Sequence, residues 1–169
     1  MISCGGGIAS IYQTDYPLSK EMAYSKTSNL YVNLPSGWFT AEDNEYNCID
    51  LWIVKNNYSQ SITFRKMNLD EAVQKEIGEN GLDKIAFYSK TFTKVKLGKD
   101  FSSFSNEEIF EMNGKTFAAY EYLNINQIPI RVVVFRQYYK YYESEAIAKD
   151  GKNTVELFKI QNAVLSTLK

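Results

Sequence analysis

The sequence predicts an α+β domain with an antiparallel sheet, and three observations carry that reading. Short runs of apolar–polar alternation recur along the chain, Asn113-Gly114 stands between two of them as a hairpin signal, and two stretches, about 69–92 and from 153 onward, change to helical spacing. At 169 residues, 44% hydrophobic and 23% charged, the chain is long enough for one sizeable core and short for two. No run of about 18 apolar residues occurs, so a membrane-spanning helix is not predicted from the sequence.

Taken in order, residues 8–28 carry Ser, Thr, Lys and Tyr without periodicity and read as a linker, so the division expected is a tether over 1–28 and a single domain over 29–169. Leu30, Val32 and Leu34 alternate with polar partners up to a turn at Pro35-Ser36-Gly37, and Trp38 and Phe39 follow. Ile49, Leu51 and Ile53 form the next alternating set. After a turn at Asn56-Asn57, Tyr58, Ile62 and Phe64 line one strand face, with Ser59, Ser61, Thr63 and Arg65 on a solvated or partner-facing side.

Asn68 is a candidate cap for a helix marked by Leu69, Ala72, Val73 and Ile77, with Asp70 and Glu71 in its first turn. Gly78 and Gly81 interrupt it before Leu82, Ile85, Ala86 and Ser89 resume the period, so the helix is expected to be broken, and a polar loop follows over 99–105. Ile109, Phe110 and Met112 lead into the Asn-Gly turn, and Phe117, Ala119 and Leu123 alternate beyond it. Val132 to Phe135 are apolar on both faces, as suits a strand covered on both sides. A strand over 141–147 comes next. Asn153 or Thr154 then caps a closing helix whose Leu157, Phe158, Gln161, Val164, Leu165 and Leu168 share a face.

Composition removes several chemistries. Histidine is absent, which excludes His-based triads, Cys-His pairs and His-containing zinc sites. Two cysteines, Cys4 and Cys48, are too few for a thiolate cage or a disulfide framework, and Cys48 reads as a small buried apolar residue. Nineteen basic against twenty acidic residues give a net charge of -1, without the basic excess that nucleic-acid binding uses. No dinucleotide fingerprint, P-loop or nucleophile elbow occurs. Glu107, Glu108 and Glu111 cluster near a strand start and Glu42, Asp43 and Glu45 in a loop, and both read as solvated surface in preference to a carboxylate pair or a weak calcium loop. The run Tyr138-Tyr139-Lys140-Tyr141-Tyr142 has two readings, a stacking platform or alternate tyrosines buried against helices, and the second is preferred. Arg65, Arg131 and Arg136 are expected to pair with Glu121 and Glu143 across the sheet. No catalytic residue, metal site or cofactor is assigned.

At the start of the sequence, Ile2-Ser3-Cys4 followed by Gly5-Gly6-Gly7 resembles the end of a bacterial lipoprotein signal, in which a small residue precedes the cysteine that receives lipid and a Gly/Ser spacer follows. Only three residues precede Cys4, with no charged or apolar signal region among them. A tail with an incidental cysteine is the other reading. The resemblance implies lipid attachment at Cys4, a place in the cell envelope and contact with a membrane through the anchor alone.

Tyr31-Val32-Asn33-Leu34-Pro35-Ser36-Gly37-Trp38 resembles the opening of PsbP-like domains, a strand ending in Leu-Pro-x-Gly-Trp. Gly114-Lys115-Thr116-Phe117-Ala118-Ala119-Tyr120-Glu121-Tyr122 is similar to that family's Gly-x-x-Ala-x-Tyr-x-Tyr strand. The strands at Arg131 to Phe135 and Tyr138 to Glu143, and the helix from Phe158 to Leu168, follow in the family's order. The resemblance spans 29–169 and implies an antiparallel sheet flanked by helices on both faces, an α/β/α sandwich. It implies protein binding without catalysis, as an envelope accessory protein whose protein partner is not identified. The metal-binding histidines of PsbP have no counterpart in a chain without histidine. A cytosolic binding module, or a carboxylate- or serine-dependent hydrolase, are the alternatives.

Overall fold

The computed structural model describes residues 15–42, 48–77 and 81–169. Its frame is a seven-stranded antiparallel sheet in the order β3-β4-β5-β9-β8-β7-β6, with β3 (Trp38–Thr40), β4 (Leu51–Lys55), β5 (Gln60–Lys66), β6 (Phe104–Met112), β7 (Lys115–Leu123), β8 (Pro129–Gln137) and β9 (Lys140–Ala148). A separate hairpin is formed by β1 (Leu18–Tyr24) and β2 (Tyr31–Pro35). Helices α1 (Glu71–Ile77) and α2 (Leu82–Leu97) lie between β5 and β6 in sequence, and α3 (Thr154–Leu165) closes the chain.

Strand alternation divides the core in two. Phe117, Ala119, Val133, Phe135, Tyr142 and Ala146 join Ile53, Ile62 and Phe64 in a cluster with Leu157, Ile160, Val164 and Leu165 of α3 and with Leu30, Val32 and Leu34 of the β1–β2 hairpin segment. Their sequence neighbours Tyr120, Tyr122, Val132, Val134 and Tyr141 join Ile77 and Ile85 in a second cluster, against which Leu69, Val73, Leu82 and Leu97 pack. A period of two thus sends successive residues of β7, β8 and β9 to different cores. Each fully covered Phe, Leu or Val contributes about 1.5–3 kcal/mol. The seam of α3 and hairpin is closed by hydrogen bonds, Thr167 Oγ1 accepting from the Asn33 N–H at 2.9 Å and the Tyr31 carbonyl accepting from the Lys169 N–H at 3.2 Å.

The turns follow the sequence signals. Asn113 and Gly114, at φ 52° and 72°, form the two-residue link of β6 to β7, as the Asn-Gly pair predicts. Gly37 sits at φ 80° between β2 and β3, a backbone region that glycine enters at low cost. The helical stretch breaks as expected, although α2 runs on to Leu97 and ends at Gly98.

Several expectations are corrected. The supposed linker over 8–28 contains β1, whose Ala23 is fully buried, because β2 and β4 supply contacts that a local pattern cannot reveal. Asp70, not Asn68, caps α1, its carboxylate accepting from the Val73 N–H at 2.8 Å. The polar loop read over 99–105 gives way to β6 at Phe104. Tyr58 leaves the strand face for an exposed turn at φ 60°, and Cys48 is exposed.

Candidate functional site

The β6–β7 and β8–β9 hairpin ends meet the N-terminus of α2 on one face of the sheet. The result is a groove of about 690 Å³. Thr116 and Arg136 lie on its floor, Leu82 and Asp83 of α2 form one wall, Ile109 of the edge strand lies along another, and Tyr138 and Tyr139 rise at the mouth. A second depression of about 400 Å³ shares Asp83 and Ile109 with the first and continues towards Lys90 and Glu107, which form an ion pair across α2 and β6.

The two tyrosines are the unusual feature. Gln137 pairs with Lys140, so Tyr138-Tyr139 is a two-residue hairpin link, and both residues have positive φ, 49° and 63°. Such a link favours Asn and Gly, because a side chain with a Cβ in the left-handed region costs roughly 1–2 kcal/mol. Tyrosine gains little there from burial, since Tyr138 is 57% and Tyr139 86% exposed. The Arg136 guanidinium lies 5.4 Å from the Tyr139 ring centre and steadies it. The next two tyrosines of the run, Tyr141 and Tyr142, are buried, one in each core cluster. The run therefore divides at the turn: its second pair is buried, as two consecutive tyrosines and not alternate ones, and its first pair is exposed.

The groove wall is fixed from beneath. Tyr120 Oη bonds Ser89 Oγ at 2.7 Å and Thr93 Oγ1 at 3.0 Å, which fastens α2 to β7. Burial pushes the Tyr120 hydroxyl pKa upward, so the group stays protonated and able to donate.

On the opposite face lies a polar cluster that sequence reasoning missed. Arg131 is 1% exposed and donates to Gln161 Oε1 at 3.0 Å, Asn162 Oδ1 at 2.8 Å and Glu108 Oε1 at 3.3 Å. Phe110 stacks beneath the guanidinium. Glu121 stands opposite Arg131 in the β7–β8 register; burial pushes its carboxyl pKa upward, a hydrogen bond from Asn106 and the Arg131 charge oppose the rise, and Glu108 adds to it. The only available signal was Gln161-Asn162 standing inside an otherwise apolar helix face. This cluster ties α3 to the sheet. Glu121, the carboxylate with the raised pKa, is not among the groove's lining residues.

The expected arginine pairings are partly corrected. Arg65 reaches Glu145 at 2.8 Å instead of Glu143 directly opposite, because Glu145 lies two residues along the same face, and Arg131 bonds Glu108 while facing Glu121. Of the glutamates near the β6 start, Glu107 and Glu108 point to opposite sides of the sheet, one to Lys90 and one to Arg131, and the alternation of a strand is the reason. Cys4 lies outside the described residues, as do Asp43 and Glu45, and Glu42 is exposed. Among the described residues, no three carboxylates or thiols converge to hold a metal, and no helix is long and apolar enough to cross a membrane.

No family model and no curated protein matches the chain. Among solved structures, the solution structure of cyanobacterial PsbP from Synechocystis is similar over all of this chain and 98% of its own, with a TM-score of 0.60 at 15% identity. The chain has the PsbP-like fold. Two further structures are similar over 83% of the chain at 14% identity. One is a crystal structure from Bacteroides thetaiotaomicron, of which 44% is covered, with a TM-score of 0.39. The other is LpqN, involved in cell envelope biogenesis of Mycobacterium tuberculosis, of which 82% is covered, with a TM-score of 0.46. At 15% identity the likeness to cyanobacterial PsbP fixes the architecture and assigns no residue a role.

Proposed function

We propose that this PsbP-like domain is a non-catalytic accessory protein of the cell envelope, a helix–sheet–helix sandwich that docks a protein partner through the groove at the Tyr138-Tyr139 turn and is tethered by lipid at Cys4. The observation that carries the docking reading is the paired tyrosine turn at the groove, two adjacent aromatic side chains held at unfavourable positive φ, largely exposed and lining the groove with Arg136. Backbone strain of this kind gathers at functional positions, and rigid aromatic anchors beside an arginine are the usual energetic centre of a protein interface. The tether reading is supported by Ser3-Cys4 with its glycine spacer.

A photo-crosslinking amino acid placed at position 139 in cells, with position 58, an exposed positive-φ tyrosine outside the groove, as control, tests the docking site. A discrete crosslinked species from 139 and none from 58 is expected; equal or absent labelling at both refutes it. The intact mass of the protein from its native membrane fraction tests the tether. A chain beginning at Cys4 with added acyl mass is expected, and an unmodified soluble chain refutes the anchor and leaves a cytosolic binding module.

A further inference from the structure

Helix α2 has a second surface that neither the core nor the groove uses. Ile85 and Ser89 occupy its buried side. On the other side Phe87, Phe92 and Val95 are 64%, 59% and 74% exposed. At about 100° per residue, positions 87, 91 and 95 form one outward stripe with 92 beside it. Solvent-facing apolar side chains grouped on one helix mark a contact surface more strongly than scattered ones.

Charge identifies what that surface meets. Between residues 82 and 100 the chain carries five lysines, Lys84, Lys90, Lys94, Lys96 and Lys99, against Asp83 and Asp100, a local charge of +3 in a molecule of net charge -1. Lys90 is paired with Glu107. Lys94 and Lys96 are exposed, as is Lys84 beside Phe87. These cations are all lysine, strongly hydrated point charges without the planar fork that arginine offers a defined carboxylate. They flank exposed phenylalanine and valine side chains on one helix. A diffuse anionic surface with an apolar interior satisfies both features, and a folded acidic protein with fixed carboxylates satisfies neither as well.

We infer that the outward face of α2 seats on an anionic lipid bilayer, with Phe87, Phe92 and Val95 entering the headgroup layer and Lys84 and Lys94 facing the lipid phosphates. This seat does not depend on lipid at Cys4 and goes beyond the docking groove, since it uses a different face of the helix.

The test uses the full unacylated chain, cosedimented with vesicles of phosphatidylcholine containing phosphatidylglycerol and with vesicles of phosphatidylcholine alone, at low and high salt. Binding to the anionic vesicles that fades with salt is expected, with little binding to the neutral ones. Lys84→Gln with Lys94→Gln lowers the partition roughly 30-fold, from about 1 kcal/mol per lysine near an anionic surface. Phe87→Ser weakens binding at either salt concentration, and Lys152→Gln, an exposed lysine ahead of α3, leaves it unchanged. Far-ultraviolet circular dichroism confirms that each variant is folded. Failure to sediment with the anionic vesicles, equal binding to neutral ones, wild-type partition by the double lysine variant, or preferential binding to polyglutamate overturns the inference.

Discussion

Replacing Tyr139 by glycine is expected to stabilise the domain while removing the aromatic tip that the docking reading requires. At φ 63° the tyrosine backbone is in the left-handed region, and relief from it is worth roughly 1–2 kcal/mol. The losses are small. Tyr139 is 86% exposed, so little packing disappears, and its contact with Arg136 at 5.4 Å contributes about 0.5 kcal/mol at an exposed site. Glycine's greater freedom in the unfolded chain costs about 0.5 kcal/mol, so the balance favours the variant by about 0.5 kcal/mol, or about 1–2 °C in Tm for a chain of this size. Urea denaturation of wild type and Tyr139→Gly, read as a shift in midpoint at constant slope, measures it. The same variant is expected to lose capture of the partner crosslinked from a neighbouring position such as 138. Stability up and binding down is a combination that a purely structural tyrosine would not give. A midpoint that falls refutes the strain argument, and unchanged binding refutes the role of the tip.

Three further outcomes are expected. Arg131→Met leaves Gln161, Asn162 and Glu108 without their shared donor and costs about 3 kcal/mol, the low end for a broken buried pair because Glu108 is 25% exposed and regains water; thermal unfolding measures it. Tyr120→Phe removes the hydroxyl shared by Ser89 and Thr93 and costs about 1 kcal/mol, with hydrogen exchange of α2 amides accelerating before those of α3. The raised pKa of Glu121 means that the folded chain holds this proton more tightly than the unfolded one, so its contribution to stability declines as pH rises from the ordinary carboxylate range through the folded value. Glu121→Gln is therefore expected to flatten the pH dependence in that window and to raise Tm relative to wild type at pH 7 more than at pH 4.

Much of the sheet was legible because its signals are local. The Asn113-Gly114 turn, the alternation of β5 and the two-faced apolar run of β8 depend on residues within a few positions of one another. Strand β1 was not legible, since Leu18–Tyr24 buries chiefly Ala23 and takes its order from its pairing with β2 and its contact with β4. The Arg131 cluster escaped for the same reason. Its members come from β6, β7, β8 and α3, and nothing in any one segment announces that Gln161 and Asn162 meet an arginine about thirty residues earlier. The glutamates of β6 show the converse. Adjacent in sequence, they are separated by the sheet itself, each taking its own basic partner.

The sequence by itself determined the α+β class, the order of the elements after β1, the hairpin at Asn113-Gly114 and the absence of histidine chemistry, because periodicity, turn residues and composition are properties of the chain. Tertiary structure decided which tyrosines of one run are buried and which are displayed. That division depends on where α2 stops covering the sheet and on the single register at which β8 turns into β9, and each is set by packing between segments distant in sequence.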